Sequence, residues 1–156
     1  MNFLLEGSLK GLNKWLRFLG CQTEVYEEKI TKEVIFQNQY KIFLITSLET
    51  AKIMRKMGIK FLLLPRENLK AQLFMVINKF NITPKLTLNI CSLCGEKLVP
   101  VKKEDFKDQI PPKVYQSINE YNYCVKCQKL YWEGDHIKRL KDRFKSLLSL
   151  GVQLEV

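Results

Sequence analysis

Apolar positions in the first half of the chain switch repeatedly between short continuous runs and helical repeats. Asn2–Leu5 reads as a short apolar strand, ended by Glu6 and Gly7. Leu5, Leu9, Leu12, Leu16 and Leu19 then recur at 4-3-4-3 spacing, which gives one apolar face to a helix over about Ser8–Leu19. Gly20 is placed to close it as a C′ residue. Thr23–Tyr26 reads as a second strand, and Thr31 to about Asn38 as a helix. Ile42–Thr46 is a continuous apolar run of the kind found in buried parallel strands. Glu49–Met57 is a helix closed by Gly58, Ile59–Leu64 a strand stopped by Pro65, and Asn68–Phe80 an amphipathic helix with Leu69, Leu73, Val76, Ile77 and Phe80 inward.

Strand and helix alternate about four times, which predicts an α/β fold: a parallel sheet with helices on both faces. Ligands of such sheets bind beyond the carboxyl ends of the strands. Glu6 and Thr46–Glu49 fall there, after the first and third strands. Asn81–Leu86, with Pro84, marks a boundary, so the expected domains are residues 1–85 and 86–156. In the second, Pro111 and Pro112 open a helix to about Tyr121, and Leu130–Gly134 reads as a strand and turn. Asp135 caps a final helix to about Leu148, and Val152–Val156 reads as a short strand or a loose tail.

Two CxxC pairs, Cys91 with Cys94 and Cys124 with Cys127, add chemistry to this second region. Each pair places two thiolates on one tight turn, and two such turns facing each other make a tetrahedral Cys₄ zinc site. The 29 residues between the pairs exceed the common spacing, and an inserted loop or helix absorbs the difference. Gly95 follows the first pair, where a metal knuckle often needs positive φ. Redox chemistry at two CxxC pairs is disfavoured because neither opens a helix. A closed Cys₄ site has no open position, so zinc here is structural and chemistry must be sought elsewhere. Cys21 is left over as a small buried residue.

The five cysteines and the absence of a secretory signal at Met1–Glu6 fit a reducing cytoplasm. Apolar runs are too short to span a bilayer, so no membrane is expected. The net charge is +10. Residues 1–85 carry 14 Lys and Arg against 7 Glu, residues 86–156 carry 12 against 9 acids, and zinc-bound thiolates would lower the second surplus further. Such a field favours polyanions, nucleic acid above all, or else it is a solvated lysine-rich surface.

The run from Leu5 to Gly20, with its strand-end acid, glycine-flanked helix start and Trp15-Leu-Arg17 helix end, resembles the opening of the Mut-seven carboxy-terminal RNase family. Ile42–Thr46 is similar to that family's apolar strand ending in Thr-Arg-Asp, and the segment from Tyr131 to His136 to its "YW-x-G-x-H" signature. The resemblance covers nearly the whole chain. It implies a PIN-like domain followed by a zinc ribbon, and a ribonuclease that gathers carboxylates around Mg²⁺ or Mn²⁺ to activate a water at the scissile phosphate of RNA.

Departures from the family pattern bear on the acids. No aspartate precedes Asp105. Glu6 stands where the family has its strand-end aspartate, and Leu48 where the Thr-Arg-Asp acid falls. The candidate catalytic residues are therefore Glu6, Glu33 and Glu49, with Glu28 behind Glu33. Each has a structural alternative: Glu6 as a turn residue, Glu33 as a first-turn glutamate favoured by the helix dipole, and Glu49 as the acid of a capping box begun by Thr46. Lys10, Lys14 and Arg17 share a face at i, i+4, i+7 and either hold RNA phosphates or face solvent. Tyr131 and Trp132 either stack bases or form the ribbon's small core. His136 contacts RNA, supports the zinc module, or packs near Trp132. The leading expectation is a metal-dependent endoribonuclease. The alternatives are an RNA-binding module that has lost the chemistry and a protein-interaction domain.

Overall fold

The structure is a computed structural model that describes the backbone of residues 1–155 and the side chains of residues 1–148. Four strands, β1 (Asn2–Glu6), β2 (Gln22–Tyr26), β3 (Ile42–Ile45) and β4 (Phe61–Leu63), form a fully parallel sheet in the order β2-β1-β3-β4. Side chains alternate across it as the pleat requires. Phe3, Leu5 and Leu44 enter one core with α1 (Lys10–Phe18) and α4 (Leu69–Phe80); Leu4, Phe43 and Ile45 enter a second with α2 (Lys32–Gln37) and α3 (Leu48–Met57). Burial of both faces explains why the central strands β1 and β3 read as unbroken apolar runs, while the edge strand β2 carries Gln22 and Glu24.

Local signals set the element ends. A short 3-10 turn over Gly7–Leu9 precedes α1, and Gly20, at φ +86°, closes it with Cys21 N–H donating back to Leu16 O. Thr31, Ser47 and Asn68 cap α2, α3 and α4, each accepting a backbone N–H three residues on.

A second, antiparallel sheet takes the order β5-β6-β7, from β5 (Val99–Val101), β6 (Tyr121–Cys124) and β7 (Lys129–Tyr131). Between β5 and β6 run a 3-10 segment, Lys103–Gln109, and α5 (Pro112–Ser117). The helix expected to reach Tyr121 stops at Ser117, because Tyr121 is drawn into β6 and buried against Trp132, ring centroids 5.8 Å apart. β5 has no counterpart in the sequence reading; its three residues include Pro100 and carry no alternation.

The final helix, α6, spans Asp135–Glu155. The strand or tail expected over Val152–Val156 is thus helix through Glu155, with Val156 outside the described residues. α6 packs back on the first core through Ile137, Leu140 and Phe144, and the Phe144 ring stacks on Trp15 at 5.7 Å.

Candidate active site and metal centre

The four knuckle cysteines converge. Their sulfurs all lie within 4.8 Å of one another, with Cys91–Cys127 at 3.9 Å and Cys94–Cys124 at 3.5 Å. Tetrahedral zinc with Zn–S bonds of about 2.3 Å spaces its sulfurs by about 3.8 Å, so a cluster of this size could hold a zinc ion after a small contraction. The turns are built for it. Gly95 takes φ +80° and its N–H donates to Cys91 O at 2.9 Å, while Cys127 N–H donates to Cys124 Sγ at 3.3 Å. Tyr131 Oη lies 3.1 Å from Cys91 Sγ and 3.3 Å from Ser92 Oγ.

The sulfurs are not equivalent in the absence of metal. Burial works against ionising Cys91, but hydrogen bonding by Tyr131 and the backbone N–H groups of Cys94 and Leu93 brings it down to about 6. Contact with Cys94, together with burial, pushes Cys127 up to about 12, and burial raises Cys124. Zinc has to displace the protons these thiols hold.

Arg17 joins this centre to the parallel sheet. Only 8% exposed, its guanidinium donates to Thr23 Oγ1 at 2.9 Å, to Thr23 O at 2.9 Å and to Ser92 O at 3.0 Å. Burial lowers its pKa, while Cys94 and Cys91 push the other way. Arg17 therefore does not share the exposed face of Lys10 and Lys14: the turn of α1 at Arg17 is roofed by the first zinc knuckle. The helical spacing is correct, but a contact 75 residues away takes the side chain inward.

The second site lies above the carboxyl ends of the parallel strands. In the order β2-β1-β3-β4 the chain reverses direction across the sheet between β1 and β3, the place where doubly wound folds open a crevice. A groove of about 760 Å³ occupies it. Glu6, at the end of β1, turns its carboxylate onto the start of α3: Thr46 N–H and Oγ1–H donate to Oε2 at 3.1 and 2.8 Å, and Ser47 N–H to Oε1 at 3.4 Å. Glu49 lines the same groove.

Thr46 is not the cap of α3. Its hydroxyl is taken by Glu6 and faces Ser8 Oγ at 3.2 Å, so Ser47 caps instead and accepts from Thr50 N–H at 3.2 Å. The cap therefore falls one residue later than the capping box read from Thr46 to Glu49; with Thr50 three residues past Ser47 no box forms, and Glu49 stands in the first turn without that role. Glu33 is exposed on α2 and does not line the groove, because Val34 and Ile35 take the inward positions of that short helix. Glu27, Glu28 and Glu67 line it. Glu28 is the acid already placed behind Glu33; Glu27, directly after β2, would have been found by the strand-end argument that selected Glu6, whereas Glu67 lies four residues beyond the end of β4. Among the described residues the cysteines are the one metal-type cluster; the groove's carboxylates do not close up on one another in the same way.

The family model of the Mut7-C RNAse domain matches residues 1–144. The chain belongs to that family. No curated protein and no solved structure matches it.

In this Mut7-C RNAse domain the remaining candidates spread over two further concavities. Lys10, its Nζ 3.0 Å from Glu27 Oε1, lines both the glutamate groove and a second groove of about 770 Å³ that runs along β2 to the first knuckle. Lys14, Tyr131, Trp132 and His136 line a cleft between α1 and the β7–α6 turn. Tyr131 is buried, its hydroxyl on Cys91, so it belongs to the metal centre's core. No helix among the described residues is long and apolar enough to cross a membrane.

Proposed function

We propose that this Mut7-C RNAse domain is a ribonuclease that cuts RNA in the glutamate groove, with one Mg²⁺ or Mn²⁺ ion held by Glu6 and a second carboxylate, Glu49 being the nearest in role. The observation that carries the reading is the position of Glu6: an acid at the strand switch point, oriented by three donors from the start of α3. The donor set suits a hard cation, since every acid in the groove offers oxygen and Mg²⁺ is commonly held by one or two carboxylates with the rest of its shell water. Such an ion, when bound, supplies charge stabilisation at the scissile phosphate and a more acidic water. The chain's own residues do the rest. Thr46 and Ser47 hold the Glu6 carboxylate in one orientation. The amino end of α3 brings positive dipole to the groove, and Lys10, Lys29 and Arg66 balance phosphate charge along its walls.

The zinc ribbon is structural in this reading, and its four thiols, none of them in a disulfide, suit a reducing cytoplasm. A second reading, RNA binding without cleavage, is favoured by the same hydrogen bonds: Glu6 already spends both oxygens on α3, as a purely structural acid would. The test is cleavage of single-stranded and hairpin RNA by wild type and Glu6→Gln, with Mg²⁺, with Mn²⁺ and with chelator, zinc content being verified in each sample. Metal-dependent cutting that falls at least about a hundredfold in Glu6→Gln is expected, a general acid–base or metal-ligand sized effect. RNA retained without cutting selects the second reading. Cutting untouched by Glu6→Gln removes Glu6 from the mechanism.

A further inference from the structure

The cleft between α1 and the β7–α6 turn, about 430 Å³, is unlike the two grooves: most of its lining is apolar. Phe18, Leu130, Tyr131 and Ile137 are the buried hydrophobic residues on it, and Leu93, at the tip of the first zinc knuckle, stands 63% exposed at its edge. Trp132 forms another wall. Its indole lies against the following turn, where a Cβ on Gly134 would come within 3.0 Å of Trp132 Nε1, so glycine there leaves room for the ring. The rim is basic. Lys14 sits over the Phe18 ring at 5.9 Å, Lys129 over the Tyr131 ring at 5.1 Å, and the exposed imidazole of His136 completes it; Asp135 is the one acid on the lining.

The cleft also adjoins the other two concavities. It shares Ser92 and Leu93 with the groove along β2, and that groove shares Lys10 and Glu27 with the glutamate groove. The three concavities therefore lie in series along the surface, from an apolar, cation-rimmed cleft on the ribbon, past Lys126 and Lys10, to Glu6.

We propose that this cleft is a nucleobase subsite for single-stranded RNA: one unpaired base enters against Leu93 and Trp132, its phosphates rest on Lys14 and Lys129, and the strand then runs along β2 toward the glutamate groove. The inference rests on the ribonuclease reading for the identity of the polymer. An apolar cavity with a cationic rim matches a nucleotide, whose base is a flat surface that stacks without regard to sequence and whose linkage is anionic. An apolar peptide would leave the lysines of the rim without a counterpart. Double-stranded RNA does not fit, because its bases are stacked within the helix and unavailable to a cleft.

The test uses the full, zinc-loaded chain with two uridine oligonucleotides of equal length, one intact and one carrying abasic residues, whose affinities are compared by fluorescence anisotropy. A third oligonucleotide carrying 4-thiouridine is photo-crosslinked and the adduct mapped. Stacking predicts that the intact strand binds about tenfold tighter than the abasic one. Leu93→Ser, which changes an exposed side chain and keeps the backbone of the knuckle, should lose most of that difference at unchanged zinc content, and Trp132→Leu should do the same if its circular dichroism is native. Crosslinks should map to Ser92–Leu93 or to the segment from Lys129 to Ile137. Equal affinity for the two strands overturns the subsite, as does a base preference that Leu93→Ser leaves intact or crosslinks confined to the glutamate groove. In those cases RNA still binds and the ribonuclease reading stands. No binding of any RNA overturns both.

Discussion

A Cβ on Gly95 would lie 2.8 Å from Thr23 O and 3.0 Å from Arg17 Nη2, and the backbone there already takes φ +80°. The first zinc knuckle is thus pressed onto the parallel sheet with only hydrogen between them, and Arg17 seals the contact with three hydrogen bonds. A lysine cannot reproduce that fork, since its charge is a point with no planar geometry. Arg17→Lys is expected to cost about 1–3 kcal/mol in chemical denaturation, the price of leaving buried acceptors unmatched. Amide exchange at Ser92–Gly95 should accelerate in the same variant. A variant as stable as wild type would mean that Arg17 packs here without holding anything. Gly95→Ala should be at least as damaging, because a left-handed backbone costs an L-residue about 1–2 kcal/mol before any clash is counted.

Among the elements, the antiparallel sheet has little apolar content of its own, and we propose that zinc makes up the difference. The sheet's apolar packing forms two small clusters, one around Ile110, Tyr121 and Leu130 and one made of the cysteines and Tyr131. Zinc is expected at one ion per chain by metal analysis. Its removal, or Cys124→Ser, should abolish amide protection in β5, β6 and β7 while β1 and β3, buried on both faces, keep theirs. Retained protection throughout would show that the clusters fold without metal. Zinc affinity should fall as pH falls, because each sulfur must lose its proton to bind and Cys124 and Cys127 hold theirs tightly. Release on acidification, followed with a zinc indicator dye, checks the sign.

At the scale of the whole molecule, α6 crosses the boundary drawn after residue 85. It follows the ribbon in sequence but buries Ile137, Leu140 and Phe144 in the core of the parallel sheet. We propose that the folding unit is residues 1–85 together with α6, with the ribbon carried between them. Phe144→Ala should then cost about 3–5 kcal/mol, the usual penalty for emptying a buried aromatic site, although it lies far from residues 1–85 in sequence. The reading is checked by whether thermal unfolding of the parallel sheet shifts with the variant. A change confined to the ribbon would return α6 to the second domain.

Much of this protein was legible in the sequence because much of it is local. Helix periodicity, apolar strand runs, Gly20 as a helix stop and the two knuckles each involve residues a few positions apart, and the strand-helix alternation was enough to place Glu6 at a ligand-binding edge. The position of Arg17 on α1 was readable too; its burial was not, because the knuckle that covers it closes from 75 residues away. For the same reason the use of Thr46 by Glu6, 40 residues distant, moved the cap of α3 to Ser47, and no local signal could show it. Glu33 kept its place on a helix but does not reach the groove, since a six-residue helix turns only one narrow face inward. The sequence by itself determined the strands and helices of the parallel sheet, the two CxxC turns and the sheet edge at which Glu6 falls. Tertiary structure alone decided which glutamates share a groove, which cation is buried and where α6 lies, because those depend on strand order and loop closure, which no short stretch of chain contains.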